Sequence, residues 1–174
     1  MVIVWSRLQV IVNVRVGELP INTLPKSKES YNESKYFMPG DKIAMVSSTN
    51  RSEWSIVDMG ISQIGAINVP LYPTITSNDY KYILNHSECK YCFVSDTEVF
   101  EKINPIKNNV KSLKNIYSFD DVNNCDNWKI LYDLGNENEY EKLIIERKNN
   151  IKSRDLATII YTSGTTGVPK GVML

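Results

Sequence analysis

The chain has 174 residues, of which 42% are hydrophobic and 23% charged. That is enough for one compact domain with an apolar core, and it excludes a disordered or fibrous protein. Lys plus Arg equals Asp plus Glu at 20 each, so no net positive field points to nucleic acid as a partner.

Taken in order, residues 1–16 are largely apolar, with Val10, Val12, Val14 and Val16 at alternate positions, a strand pattern. Arg7 and Arg15 interrupt the run, which is too short and too charged for a membrane span or a signal peptide. Residues 23–36 are polar and read as a loop. Pro39-Gly40-Asp41 then marks a turn. Residues 42–47 (KIAMVS) read as a strand, followed by a helix capped by Asn50 or Ser52 and running to about Ala66. Its apolar residues Trp54, Val57, Ile61 and Ile64 recur at helical spacing. Residues 67–71 form a second strand, closed by Pro70 and Pro73.

Thr76 and Asp79 have the spacing of a capping box, opening a helix that carries Tyr80, Ile83 and Leu84 on one face and ends near His86. Residues 91–95 (YCFVS) are a third strand. Asp96 starts a helix that Pro105 must end or bend, and residues 113–119 form a fourth strand. The Asn- and Asp-rich stretch 120–138 reads as surface loop, and residues 139–151 as a helix. Arg147, Lys148, Lys152 and Arg154 read as a solvated face. Residues 156–161 (LATIIY) are apolar throughout, as in a strand buried on both faces. This alternation predicts an α/β fold with a largely parallel sheet flanked by helices.

The three cysteines, Cys89, Cys92 and Cys125, are too few for a disulfide framework and suit a reduced, intracellular protein. With His86 they have ligand-like spacing, but Cys92 falls inside an apolar strand, where cysteine serves as a small hydrophobe; no metal site is expected. Trp54 and Tyr80 lie on helix stripes and read as core. Tyr72, between two prolines, is open to either a core or a channel role. His86 reads as a helix-end cap or dipole partner.

Residues 162–170 read TSGTTGVPK. Gly164, Gly167 and Gly171 let backbone amides approach a ligand. Thr162, Ser163, Thr165 and Thr166 offer hydroxyls, and Lys170 a compact positive charge, so the run suits an anion such as phosphate. It is not a Walker loop, because Gly171 stands where that loop needs Ser or Thr for magnesium. On composition alone, a flexible hairpin of small polar residues is an equal alternative.

Residues 161–174 (YTSGTTGVPKGVML) closely resemble the phosphate-loop signature of the adenylate-forming, AMP-binding superfamily. Residues 40–44 (GDKIA), 50–54 (NRSEW), 65–74 (GAINVPLYPT), 82–88 (YILNHSE) and 93–96 (FVSD) resemble its long-chain fatty acyl-CoA synthetase branch. Ser52 departs from that branch, which often has Pro there. The resemblance runs from about residue 39 to the end and is weakest between residues 98 and 154. It implies an atypical segment and linker at 1–38, followed at 39–174 by part of an AMP-binding N-terminal domain ending at the phosphate loop.

The resemblance further implies ATP-dependent activation of a fatty acid to acyl-adenylate and then acyl-CoA. Lys170 would act in catalysis, and Thr162, Ser163, Gly164, Thr165, Thr166, Gly167 and Lys170 would hold the ATP phosphates. Magnesium and coenzyme A would be held by regions outside this chain, so the fragment is expected to be inactive alone. Fatty acid, ATP and coenzyme A are the expected partners of a cytoplasmic enzyme, with peripheral contact at the cytosolic face of a membrane left open. An amino-acid adenylation domain and a non-catalytic nucleotide-binding fragment are the alternatives.

Overall fold

The computed structural model describes residues 37–134, 141–163 and 167–174. The strand and loop readings for residues 1–36 lie outside them.

Five parallel strands form one sheet in the order β2-β1-β3-β4-β5: β1 (Lys42–Val46), β2 (Ile67–Leu71), β3 (Tyr91–Val94), β4 (Asn115–Ser118) and β5 (Asp126–Asn127). The helices between them are α1 (Ser52–Gln63), α2 (Ser77–His86) and α3 (Thr97–Ile103), the last continued by a 3-10 turn at Asn104–Asn109. After β5 come α4 (Lys129–Leu134) and α5 (Glu141–Asn150). The sheet is covered on both faces because its central strands β1 and β3 put apolar side chains on both. In β1, Ile43 and Met45 join one core with Val57 and Ile61 of α1, while Ala44 and Val46 join the other with Tyr80 and Leu84 of α2. Within β3, Tyr91 and Phe93 divide from Cys92 and Val94 in the same way.

The chain steps from β1 outward to β2, then returns past β1 to β3. The two crossovers run in opposite directions, so α1 and α2 fall on opposite faces, as a single crossover hand requires. Between β1 and β3 lies the switch point where open α/β sheets leave a crevice at their carboxyl ends.

Local chemistry sets the helix ends. The backbone N–H of Asp79 donates to Thr76 Oγ1 at 3.2 Å, and Asp79 Oδ2 accepts from the Thr76 N–H at 3.1 Å, which completes the expected capping box. Asp96 caps α3 by accepting from the Val99 N–H at 3.0 Å. Gly65, at φ +71°, turns the chain after α1, and its N–H donates to Ser62 O.

Several expectations are corrected. The N-cap of α1 is Arg51, not Asn50 or Ser52, and it makes no side-chain cap, because a guanidinium has no acceptor to offer; it donates instead to the Ser95 carbonyl at 3.0 Å. Residues 120–134 are not simply loop: they hold β5 and α4, since Val122, Trp128 and Leu131 are buried and Trp128 meets Phe119 edge-on at 6.0 Å. The positive cluster is not uniformly solvated either, because Arg147 is buried and donates to the Phe37 carbonyl at 3.3 Å. Among the described residues, no helix is long and apolar enough to cross a membrane.

Candidate functional site

The glycine-, serine- and threonine-rich run sits on a hairpin. Strand β6 (Ile159–Ser163) pairs antiparallel with β7 (Pro169–Met173), with Thr162 opposite Lys170 and Ser163 opposite Pro169. The strand expected to be buried on both faces is instead a one-sided one: Ile159 and Tyr161 are buried, and Ile160, Thr162 and Ser163 are exposed. The reason is its partner. An apolar run reads the same whether helices cover both faces or a hairpin partner leaves one face open, and β7 contributes Lys170, Gly171 and Val172 rather than a second apolar layer. The hairpin joins the main sheet at its base, where the Asn68 N–H donates to the Ala157 carbonyl at 3.0 Å and Asn68 bridges to Thr158.

Directly opposed residues of an antiparallel pair share a face. Thr162 and Lys170 therefore present a hydroxyl and an ammonium side by side, both exposed. Gly167, at φ +78°, lets the chain re-enter β7 in a conformation that side chains disfavour. Gly164, Thr165 and Thr166, three of the residues singled out in the sequence, lie outside the described residues.

Thr162, Ser163, Gly167 and Pro169 line a cleft of about 440 Å³, whose opposite wall includes Ile75, Asp79 and Ile83 of the α2 region. A neighbouring cleft of about 580 Å³ runs over Met45, Ser47, Arg51 and Trp54. The two share Pro70, Leu71, Tyr72 and Ile160 as walls, so a polar hairpin end and a more apolar trough meet at the carboxyl ends of β1 and β2. Tyr72 is 69% exposed and belongs to both clefts. Tyr80 is core, as expected, and its hydroxyl donates to the Tyr72 carbonyl at 2.8 Å, holding the turn that carries Tyr72. Trp54 is half-buried and has both roles, packing on the core and lining the trough.

The sequence reading missed a polar cluster at the switch point. Arg51 grips Glu53 with two bonds, at 3.0 and 3.2 Å, and reaches Asp120 at 2.9 Å. The Ser48 and Ser95 hydroxyls both donate to Asp96. The Arg51 hydrogen bonds hold the Glu53 carboxyl down at about 2. These bonds tie the ends of β1, β3 and β4 together, but they leave Arg51 committed to protein partners. No local signal marks the cluster, because its members come from three separate loops.

Cys89 and Cys92 are fully buried thiols, both pushed up by burial, Cys89 to about 12. Buried thiols of that kind are poor ligands and poor nucleophiles. Among the described residues, no group of three or more His, Cys, Asp and Glu is placed to hold a metal ion. His86 is not merely a helix end: its Nδ1 lies 2.7 Å from the Tyr161 hydroxyl, a partner 75 residues away.

A parallel sheet with helices on both faces, followed by a Gly/Ser/Thr hairpin at its carboxyl end, defines a class, and comparison with known proteins gives it a name. The chain belongs to the AMP-binding enzyme family, whose description matches residues 36–174. It is 32% identical over 137 residues to the long chain acyl-CoA synthetase 4 of Arabidopsis thaliana, covering 72% of this chain and 20% of that protein. It is 36% identical over 145 residues to the fatty acyl-CoA synthetase A of Dictyostelium discoideum, covering 78% and 21%. The crystal structure of a long-chain-fatty-acid-CoA ligase from Archaeoglobus fulgidus superposes with a TM-score of 0.69 at 23% identity, over 96% of this chain and 29% of that one, which shows the shared fold. The chain thus spans about a fifth of the length of the curated relatives it matches.

Proposed function

We propose that this chain carries the phosphate-gripping part of an ATP-dependent long-chain fatty acyl-CoA ligase. The observation that carries the reading is that Thr162, which lines a cleft on the carboxyl side of the sheet, lies directly across the hairpin from the exposed Lys170. The names of the relatives supply the substrate class. In the reaction, a carboxylate oxygen bonds to the α-phosphorus of ATP as the bond to pyrophosphate breaks. The sulfur of coenzyme A then bonds to the acyl carbon, and AMP leaves.

Negative charge grows on the departing pyrophosphate, so a fixed ammonium and hydroxyls contribute most in the transition state. In this reading Lys170 and the Thr162 hydroxyl, on one face of the hairpin, meet that end of ATP, Ser163 adds a hydroxyl from the loop end of β6, and Gly167 lets the backbone come close. Thr165, Thr166 and Gly164 complete the set in this reading. The described residues do not make a magnesium site: no cluster of acids is present among them, and Asp79, the carboxylate in the cleft wall, is held by the Thr76 cap. The free cysteines support the further proposal of a cytoplasmic protein.

Calorimetric titration of the 174-residue chain with ATP tests the reading. Binding that weakens at least tenfold in Lys170→Ala, and that Lys170→Arg restores only in part, is expected, because a planar fork replaces a point charge. In a longer protein that contains this chain, Lys170→Ala should slow single-turnover pyrophosphate release about a hundredfold or more, on the order of 3 kcal/mol. ATP binding and release rates indifferent to Lys170 would refute it. The isolated chain, given ATP, magnesium, palmitate and coenzyme A, should release no more pyrophosphate than its Lys170→Ala variant.

A further inference from the structure

The wall of the cleft opposite the hairpin is helix α2, and α2 ends in a contact that reaches back to the hairpin. His86 is its last residue. Besides the 2.7 Å contact between Nδ1 and the Tyr161 hydroxyl, the two rings meet edge-on, with centroids 5.8 Å apart at 85°. Tyr82, one helical turn earlier, stacks on the imidazole at 5.5 Å and 23°, which fixes the ring plane. Tyr161 itself is 7% exposed. Burial pushes its phenol up to about 12, with Cys89 and Tyr82 acting in the same direction and a hydrogen bond with the Ser87 side chain opposing them. A buried phenol needs a hydrogen-bond partner, and His86 supplies one from the edge of the protein.

Tyr161 in turn grips both strands of the hairpin. It lies opposite Gly171, and a Cβ on Gly171 would come within 3.2 Å of Tyr161 Cζ and 2.8 Å of Ile159 Cγ2. The tyrosine ring occupies the space that a side chain at 171 would need. Thr162 and Lys170 are the next residue on each strand. Beyond this point β6 and β7 pair only with each other among the described residues, and a lone two-stranded ribbon is marginally stable in water.

We propose that His86 is a positioning residue: by holding the Tyr161 hydroxyl it fixes the β6–β7 hairpin against α2, and so sets where Thr162 and Lys170 meet the phosphates of ATP. The ligand half of this proposal rests on the phosphate-loop reading; the anchoring half does not. The imidazole touches no substrate. Its Nδ1 can accept from the phenol or donate to it, so the anchor needs no particular charge on His86.

Amide hydrogen exchange and ATP titration on the 174-residue chain test both halves. His86→Ala should speed exchange at residues 160–163 and 169–172 about fivefold, the loss of one ordinary hydrogen bond, with β1 and β3 unchanged, and should weaken ATP binding by a similar factor. His86→Asn, whose side-chain amide reaches about as far as Nδ1, should restore most of both. Tyr161→Phe should do at least as much as His86→Ala, because it also removes the bond to Ser87, and adding His86→Ala to Tyr161→Phe should change little. Hairpin exchange that stays at the wild-type rate, a rise shared equally by β1 and β3, or failure of His86→Asn to rescue would overturn the proposal. Lys170-dependent ATP binding that ignores His86→Ala sinks the positioning role alone. A chain that binds no ATP, or binds it equally well without Lys170, sinks the phosphate-loop reading and the ligand half with it.

Discussion

The parallel sheet and the β6–β7 hairpin are held by different means. In β3 every residue from Tyr91 to Val94 is buried, with β1 and β4 on either side and helices on both faces. The hairpin leaves Ile160, Val172 and Met173 exposed, at 36%, 46% and 71%. Its position depends on fewer contacts: the bridge at Asn68, the packing of Ile159 and Tyr161 into one core, and His86. Burial spread over many residues makes a cooperative platform. A ribbon tied at a few points can still carry polar groups to a ligand and adjust around it.

The largest expected effect is on the platform. Phe93 is fully buried and touches the rings of Phe37, Tyr117 and Phe119, with centroids 6.3, 5.4 and 6.1 Å away. Phe93→Ala should cost about 3–5 kcal/mol, a large part of the ~5–15 kcal/mol that holds a domain together. Val172→Ala, on the open face of the hairpin, should stay within about 0.5 kcal/mol. Urea denaturation of both variants measures the contrast, and equal losses would break it. Next in size is Gly171→Ala, where the new methyl must displace Ile159 or Tyr161; a cost of about 1–3 kcal/mol is expected. Exchange confined to the hairpin would locate it there, whereas a wild-type stability would mean that the Tyr161 ring is free to move aside.

The platform was legible in the sequence because its signals are local. The Thr76–Asp79 spacing, the Asp96 cap and the apolar stripe through Tyr80, Ile83 and Leu84 each act within one turn of helix. Failures came where the deciding contact is distant or the composition misleads. Residues 156–161 look like a strand buried on both faces, and only the antiparallel pairing with β7 (PKGVM) reveals a one-sided one. Asn and Asp around Trp128 and Leu131 hide two buried side chains. The Gly/Ser/Thr run was visible as a candidate anion loop, but the link from His86 to Tyr161 was not, because nothing in either segment announces the other.

A third test compares cap chemistry with packing. Thr76→Ala removes the hydroxyl that satisfies the Asp79 N–H, and should cost about 1 kcal/mol. Thermal denaturation reads this directly, and Thr76→Ser, which keeps the acceptor, should recover most of it. Because α2 also walls the cleft beside the hairpin, full stability without the hydroxyl would show that packing against the sheet, not the cap, fixes the start of the helix.

The smallest expected effect separates the two regions by pH. Glu53 has an ordinary value of 4.5 and is held at about 2, first by its bonds to Arg51. Asp96 is also lowered: burial alone would raise it, but hydrogen bonds from Ser48 and Ser95 and from the Val99 and Glu98 amides outweigh that. A carboxyl lowered on folding stabilises the protein above its unfolded value, and that contribution fades as pH falls toward the folded value. Between roughly pH 4.5 and 2 the unfolded chain binds the proton first, so stability should decline through that window. The decline should be modest, because Glu53 keeps 28% of its side chain in water and Asp120, the other carboxylate on Arg51, 53%, where solvent screens both ion pairs. Denaturation midpoints measured from pH 5 to pH 2 should fall less steeply in Glu53→Gln than in the wild type. Asp96→Asn keeps an N-cap acceptor and should flatten the curve in the same direction. The His86–Tyr161 anchor contains no carboxylate, and the one at the Asn68 bridge, Asp58, belongs to α1 of the platform, so exchange at residues 160–163 should follow the platform's decline and show no acid transition of its own. A separate hairpin transition in that window would place a carboxyl in the anchor and change the account of what holds it.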